Sequence, residues 1–184
     1  MNATAVAVAN PSVSEPSLSA NDFALFGLPQ RFALDAALLQ ERWKALQRLA
    51  HPDRHAHAGA AAQRLAMQWS VRVNEAYQRL RDPLRRAAYW CELQGQPVQA
   101  DSNTAMPAEF LLQQMQWREA LEEARDPTDL QRLRHEVQAE RDARLQTLAA
   151  AIDTHHDAAA AAAQVRALMF IERFLETLHE RLDT

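Results

Sequence analysis

The chain of 184 residues is predicted to be all-α: an N-terminal antiparallel helical hairpin with short flanking helices, followed by a three-helix bundle. Three observations predict this. Only three glycines stand among long alanine- and leucine-rich stretches, a composition that favours helix almost throughout. Apolar residues recur at spacings of three and four. No strand-like alternation of any length is found. The length suffices for one medium domain or two small ones, each with its own core.

Residues 1–20 are Ala, Val, Ser, Asn and Pro with almost no charge, and read as a disordered tail. Asn21-Asp22 can cap a short helical turn whose apolar residues are Phe23, Leu25, Phe26 and Leu28. Gly27 and Pro29 end it. Asp35 then caps an amphipathic helix running to about Ala50, with Leu38, Leu39, Trp43, Leu46 and Ala50 on one side. Lys44 and Arg48, four apart, lie on the other. Pro52 stops this helix, because the residue before a proline avoids the helical region. A polar, His-rich loop runs from His51 to about Gly59.

A second long helix covers about 61–81, with Leu65, Trp69, Val73, Ala76, Tyr77 and Leu80 as its stripe. The two stripes can pack as an antiparallel pair. Asp82-Pro83 starts a third helix, with proline at a favourable first-turn position. Its Ala87, Ala88, Tyr89, Trp90 and Leu93 are expected to close the open end of the hairpin. Gly95 and Pro97 end a domain spanning 21–95. A polar linker, 96–106, leads to helices expected at about 107–125, 128–151 and 158–182. Asp126-Pro127 makes the first break, and residues 153–157, with the His155-His156 pair, make the second. Breaks this short imply antiparallel neighbours, hence a bundle over 107–184.

The net charge of −4 conceals an asymmetry. Residues 22–93 carry 11 Lys and Arg against 7 Asp and Glu, whereas 94–184 carry 9 against 16. A basic half joined to an acidic half suggests two surfaces for two partners. Cys91, the only cysteine, excludes an internal disulfide and a multi-cysteine zinc site, and a reducing compartment is its simplest setting. No run approaches the ~20 apolar residues that span a bilayer. The first Lys or Arg is Arg31, so a secretory or transit signal is not expected, and a cytoplasmic location follows by elimination.

Chemistry-bearing patterns are sparse. No Ser/Cys–His–Asp arrangement, Gly-rich phosphate loop or carboxylate pair has a recognisable context, so no enzyme activity is expected. The loop histidines His51, His55 and His57 lack acidic or cysteine ligands at familiar spacing, as do His155 and His156; no metal and no cofactor are assigned. Cys91, between Trp90 and Leu93, reads as a buried inert thiol. Arginines 72, 79, 81, 85 and 86 form a second basic cluster without a groove-reading motif or base-stacking aromatics. It reads as a solvated helix face or part of a partner-facing surface rather than a nucleic-acid site.

One tripeptide has informative surroundings. His51-Pro52-Asp53 sits at the tip of the hairpin, after Trp43-Lys44-Ala45-Leu46. It is followed by Asn74-Glu75-Ala76-Tyr77, Leu80, Asp82-Pro83 and Arg86-Ala87-Ala88-Tyr89. Alone it is a helix stop; with these flanks, residues 22–93 resemble the J domain. Pro52 holds its neighbours at fixed angles, so His51 and Asp53 are presented as a pre-ordered donor–acceptor pair. Lys44, Arg48 and Arg54 add a positive face suited to an acidic partner. The resemblance implies that this face docks on an Hsp70-class chaperone and accelerates ATP hydrolysis there, with the catalytic groups belonging to the partner.

Neither a Gly/Phe-rich linker nor CxxC repeats follow this region. An acidic helical bundle follows directly, an architecture similar to the HscB family of iron–sulfur co-chaperones. Phe23-Ala24-Leu25-Phe26-Gly27-Leu28-Pro29 and Phe110-Leu111-Leu112-Gln113-Gln114-Met115, then Arg118-Glu119, look like that family's segments. The resemblance implies an HscA-like chaperone and an IscU-like scaffold protein as partners, no membrane and no nucleic acid. The implied scaffold-binding residues are Leu111, Leu112, Met115, Glu119, Glu123 and Phe170. Leu111, Met115, Glu119 and Glu123 step by four along one face. Gln116 stands where the family usually has glutamate, which lowers the charge of the patch. Core packing is the rival reading: an apolar stripe edged with carboxylates also describes a bundle interior with its rim. Binding is favoured for Leu112 and Met115, and both readings stand open for Phe170. The competing function is a J-domain co-chaperone for another client, or a non-catalytic helical interaction module.

Overall fold

The computed structural model describes residues 19–50, 59–98 and 106–183, and these are helical apart from turns and short connections. The helices are α1 (Asp22–Leu25), α2 (Ala36–Ala50), α3 (Ala60–Arg81), α4 (Pro83–Leu93), α5 (Ala108–Glu123), α6 (Pro127–Ala150) and α7 (Ala158–Leu182). The chain divides into two compact units, Met1–Pro29 with Ala36–Tyr77, and Gln30–Asp35 with Gln78–Thr184. The all-α prediction is thereby met.

In the first unit, α1 begins where the Asn21 side chain accepts the Ala24 N–H at 2.9 Å. It ends in a left-handed turn: Gly27 has φ +60°, its N–H donates to Ala24 O, and the Leu28 N–H donates back to Phe23 O at 2.8 Å. The positive φ favours glycine here, and any side chain would also displace the end of an arginine. A Cβ at position 27 would stand 2.6 Å from Arg42 Nη1, and that guanidinium donates to Phe26 O at 3.0 Å. Arg42, which lies among apolar positions on α2, thus satisfies the carbonyls at the end of α1.

α2 and α3 are locked by Trp43 and Tyr77, whose rings stack at 4.7 Å, and by the Trp43 indole N–H donating to Asn74 Oδ1 at 3.0 Å. Leu39 and Ala50 on α2 and Ala66, Val73 and Ala76 on α3 are buried. Leu65, expected in the stripe, is half exposed instead. Ala66 is seven residues before Val73 and returns to its face at 3.6 residues per turn; Leu65 is eight before and turns away.

The second unit contains α4 to α7. Asp82 caps α4 by accepting the Arg85 N–H at 2.8 Å, with Pro83 in the first turn. Gly95, φ +75°, closes α4 with the same turn as α1, the Gln96 N–H donating to Cys91 O. Asp126 and Asp157 cap α6 and α7. Two apolar clusters result. One joins Ala87, Trp90 and Cys91 of α4 to Leu148, Ile152, Val165 and Leu168. The other joins Phe110 and Trp117 of α5 to Leu133, Val137, Ile171, Phe174 and Leu178. By its packing, α4 belongs with α7 in this unit, whereas the sequence reading assigns it to the domain 21–95. The reason lies in its apolar side: Trp90 and Cys91 are buried among residues of α6 and α7.

The connection from α6 to α7 also differs from expectation. The helix does not stop at residue 151 but widens into a π-helical turn, Ala151–His155, followed by His156 with φ +51°. Ala151 and Ile152 of this turn are buried, and Asp153 after them is half-buried. Its carboxylate accepts the backbone N–H groups of Phe32 and Ala33 at 2.6 and 2.9 Å.

The second basic cluster is not one solvated face. Arg72 pairs with the buried Asp22 at 2.7 Å, and Arg79 lies over the Tyr89 ring at 4.8 Å. Arg86 is buried, donates to Leu80 O at 2.6 Å and lies over Phe32 at 5.2 Å. Burial lowers the Arg86 pKa, and the nearby Asp82 and Asp153 carboxylates oppose that shift. Only Arg81 and Arg85 of the five are exposed.

Candidate functional site

Two surfaces come from the sequence, one on each unit. His51, Pro52, Asp53 and Arg54 of the first lie outside the described residues. The described part is the outer face of α2, where Lys44 and Arg48 are both exposed. One helical turn apart, they are tied by the Arg48 Nε–H donating to Lys44 O at 3.3 Å. Their position follows from the hairpin lock: Trp43 and Gln47 turn toward Asn74 on α3, so the residues after each of them turn away.

The second surface is the outer side of α5. This helix is held through few side chains. Phe110 and Trp117, seven apart, are its fully buried residues. Trp117 stacks on Phe174 at 5.8 Å, and its indole N–H donates to Glu136 on α6 at 2.9 Å. Phe110 meets Trp117 edge-on and lies under the Arg144 guanidinium, 4.2 Å from its ring centre. With the inner face thus occupied, a second apolar set is left outward. Leu111 is 45% exposed, Leu112 60% and Met115 66%. Glu119 and Glu123 are exposed beside them. A helix with apolar residues on opposite sides has its polar residues squeezed between them, which is not the pattern of an ordinary surface helix. The rival reading of these three residues as bundle core does not hold.

Phe170 is intermediate. It is half buried, edge-on to Phe110 at 5.9 Å and parallel to Phe174 at 6.1 Å, with Arg118 above its ring at 5.8 Å. It belongs to the margin of the second cluster and retains solvent exposure.

Glu122 was not singled out from the sequence. It is exposed and stands seven residues after Met115, about 20° from it around the helix at 100° per residue. Counting by fours from Leu111 passes over it; seven-residue spacing was the signal that finds it. Cys91 is buried, and burial pushes its thiol up to about 11. Among the described residues no group of three His, Cys, Asp or Glu side chains is gathered for a metal. No helix among them is long and apolar enough to cross a membrane.

Comparison with known proteins gives a consistent answer. Residues 106–179 match the family model described as the HSCB C-terminal oligomerisation domain. A co-chaperone protein HscB homolog of Bordetella petrii is 50% identical over 163 residues, covering 88% of this chain and 96% of the relative. Its counterpart in Ralstonia nicotianae is also 50% identical, covering 91% and 97%. Among solved structures, chaperone HscB from Vibrio cholerae matches with a TM-score of 0.75 at 36% identity, over 89% of this chain and 98% of that one. The human co-chaperone protein HscB matches with a TM-score of 0.82 at 25% identity, over 90% and 84%.

Proposed function

The chain belongs to the HscB family of co-chaperones, and from that premise we propose that it stimulates the ATPase of an HscA-like Hsp70 chaperone and delivers an IscU-like scaffold protein to it. The chaperone meets the face formed by Lys44, Arg48 and Arg54 with His51-Pro52-Asp53. Positive charge there speeds encounter with an acidic partner, and the tripeptide supplies the oriented contacts. The J-domain side carries no catalytic group of its own; ATP is hydrolysed by the chaperone. The scaffold meets Leu111, Leu112, Met115, Glu119, Glu123 and Phe170. The two halves work as an adaptor: holding the scaffold beside a chaperone turns a bimolecular encounter into an intramolecular one.

The observation that carries the client half is the doubly apolar α5. Phe110 and Trp117 occupy its inner side, yet Leu112 and Met115 lie outward at more than half exposure. Exposed apolar groups rimmed with carboxylates fit a partner that covers them. The test is calorimetric titration of the protein and its variants with an IscU-like scaffold. Leu112→Ala with Met115→Ala should lower affinity by roughly 1–3 kcal/mol and leave the melting temperature nearly unchanged. Wild-type affinity in the double variant would remove the scaffold from this surface and favour another client.

A further inference from the structure

We propose that Arg118 is a positioning residue for Phe170, fixing that ring at the margin of the α5 surface so that an incoming partner meets it already oriented. The inference rests on the reading of this surface as the client site. Phe170 is fixed on three sides: Phe110 meets it edge-on at 5.9 Å, Phe174 runs parallel at 6.1 Å, and the Arg118 guanidinium lies above it at 5.8 Å. Two of these contacts come from the buried cluster, whose rings are there whether or not a partner binds. Arg118 is the exposed one, and it comes from α5 itself.

Its place on that helix is informative. Arg118 stands seven residues after Leu111 and three after Met115, so it shares their side of α5 while its guanidinium lies over the Phe170 ring. Its charge has another outlet, since Glu122 is four residues further on. An arginine N-terminal to a glutamate at this spacing is the weaker orientation of such a pair, because both charges then oppose the helix dipole. The ring face is a competitive alternative: guanidinium planes stack on aromatic faces, and a partly desolvated cation–π contact exceeds a solvated i,i+4 pair. Resting there, Arg118 closes one face of Phe170 to water and restricts its rotation. A ring ordered before binding loses less entropy on binding.

The experiment uses the full chain and four variants: Arg118→Met, which keeps the length and loses the charge; Arg118→Lys; Phe170→Leu; and Met115→Ala. In the free wild type, the Arg118 Nε–H signal should be shifted upfield by the Phe170 ring in NMR spectra and return to the ordinary arginine position in Phe170→Leu. An unshifted signal in the wild type would overturn the contact, whatever the client. Against an IscU-like scaffold, Arg118→Met should bind about two- to fivefold more weakly, with Arg118→Lys in between. In the Phe170→Leu background the same change should cost nothing. An equal loss in that background would make Arg118 a direct partner contact, and no loss in the wild-type background would remove its role; either overturns the proposal. Wild-type binding by Met115→Ala sinks the client reading instead, and the NMR result still decides the contact separately.

Discussion

Cys91 stands with no exposed surface between α4 and α7, in the cluster that holds Trp90, Leu148 and Val165. Its thiol is held neutral by burial, up to about 11 in the folded state against an ordinary 9.0. Because the folded pKa is the higher one, this burial stabilises fully below about pH 9 and its contribution is lost as pH climbs toward 11. Two outcomes follow. A thiol-alkylating reagent at mildly alkaline pH should label Cys91 only as fast as the unit opens. The alkaline loss of stability should also be shallower in Cys91→Ala. Rapid labelling of the native protein would refute burial. The neighbours Trp90 and Leu93 made this thiol legible in the sequence. Arg86 was not legible: five arginines in fifteen residues look like one charged face. Nothing local reveals that Arg86 reaches Leu80 O and Phe32. The His51-Pro52-Asp53 motif makes the sharper residue-scale prediction. On the proposed reading, in which the motif supplies partner contacts, His51→Gln or Asp53→Asn should abolish stimulation of an HscA-like ATPase without lowering the melting temperature. Undiminished ATP turnover with either variant would remove the motif from the mechanism.

At the scale of elements, the helix starts were the most legible part. Asn21, Asp82, Asp126 and Asp157 all accept backbone N–H groups where the sequence placed starts or breaks. Capping is local chemistry, so one sequence suffices to find it. The π-helical turn at Ala151–His155 was not legible, because its cause is tertiary: Ile152 is buried in the α4 cluster and Asp153 holds Phe32 and Ala33. The caps differ in what they predict. Asp157 accepts the Ala160 N–H at 2.9 Å at the head of α7, so Asp157→Ala should cost about 1 kcal/mol in denaturant unfolding. Asp126 accepts from Thr128 and Asp129, and these N–H groups hold its carboxyl below the ordinary 3.8. Its folded pKa being the lower one, the contribution is present above 3.8 and lost as pH falls through the folded value. Asp126→Asn should therefore flatten part of the acid-induced loss of helix seen by circular dichroism, and an unchanged acid transition would count against the cap.

For the whole molecule, what a single sequence hides is how helices are apportioned. The apolar side of α4 was visible in Ala87 and Trp90, though Leu93, expected with them, is exposed; periodicity says only that a helix has a buried side, not which neighbour covers it. In the structure that neighbour is the second unit. Leu148, Ile152, Val165 and Leu168, each 1% exposed or less, face the cluster that α4 completes. The family-matched segment 106–179 begins after α4 and so lacks this cover. A fragment of residues 78–184 keeps Ala87, Trp90 and Cys91 of the cluster, losing Phe32 from its margin and under Arg86, and the Phe32 and Ala33 N–H groups that donate to Asp153. A fragment of residues 106–184 strips Ala87, Trp90, Cys91 and Val98 from the cluster. Removing a buried tryptophan side chain alone costs about 3–5 kcal/mol, which is a large share of the stability of a unit this small. The longer fragment should thus unfold cooperatively in urea, with protected amides in α6 and α7. The shorter one should bind a hydrophobic dye and melt without a sharp transition. In the full chain, Trp90→Ala should reproduce part of that loss and leave unchanged the scaffold affinity proposed for α5, because Trp90 lies in the cluster that α5 does not enter. Equal, cooperative melting of the two fragments would mean that α4 is dispensable to the bundle and belongs to the hairpin instead.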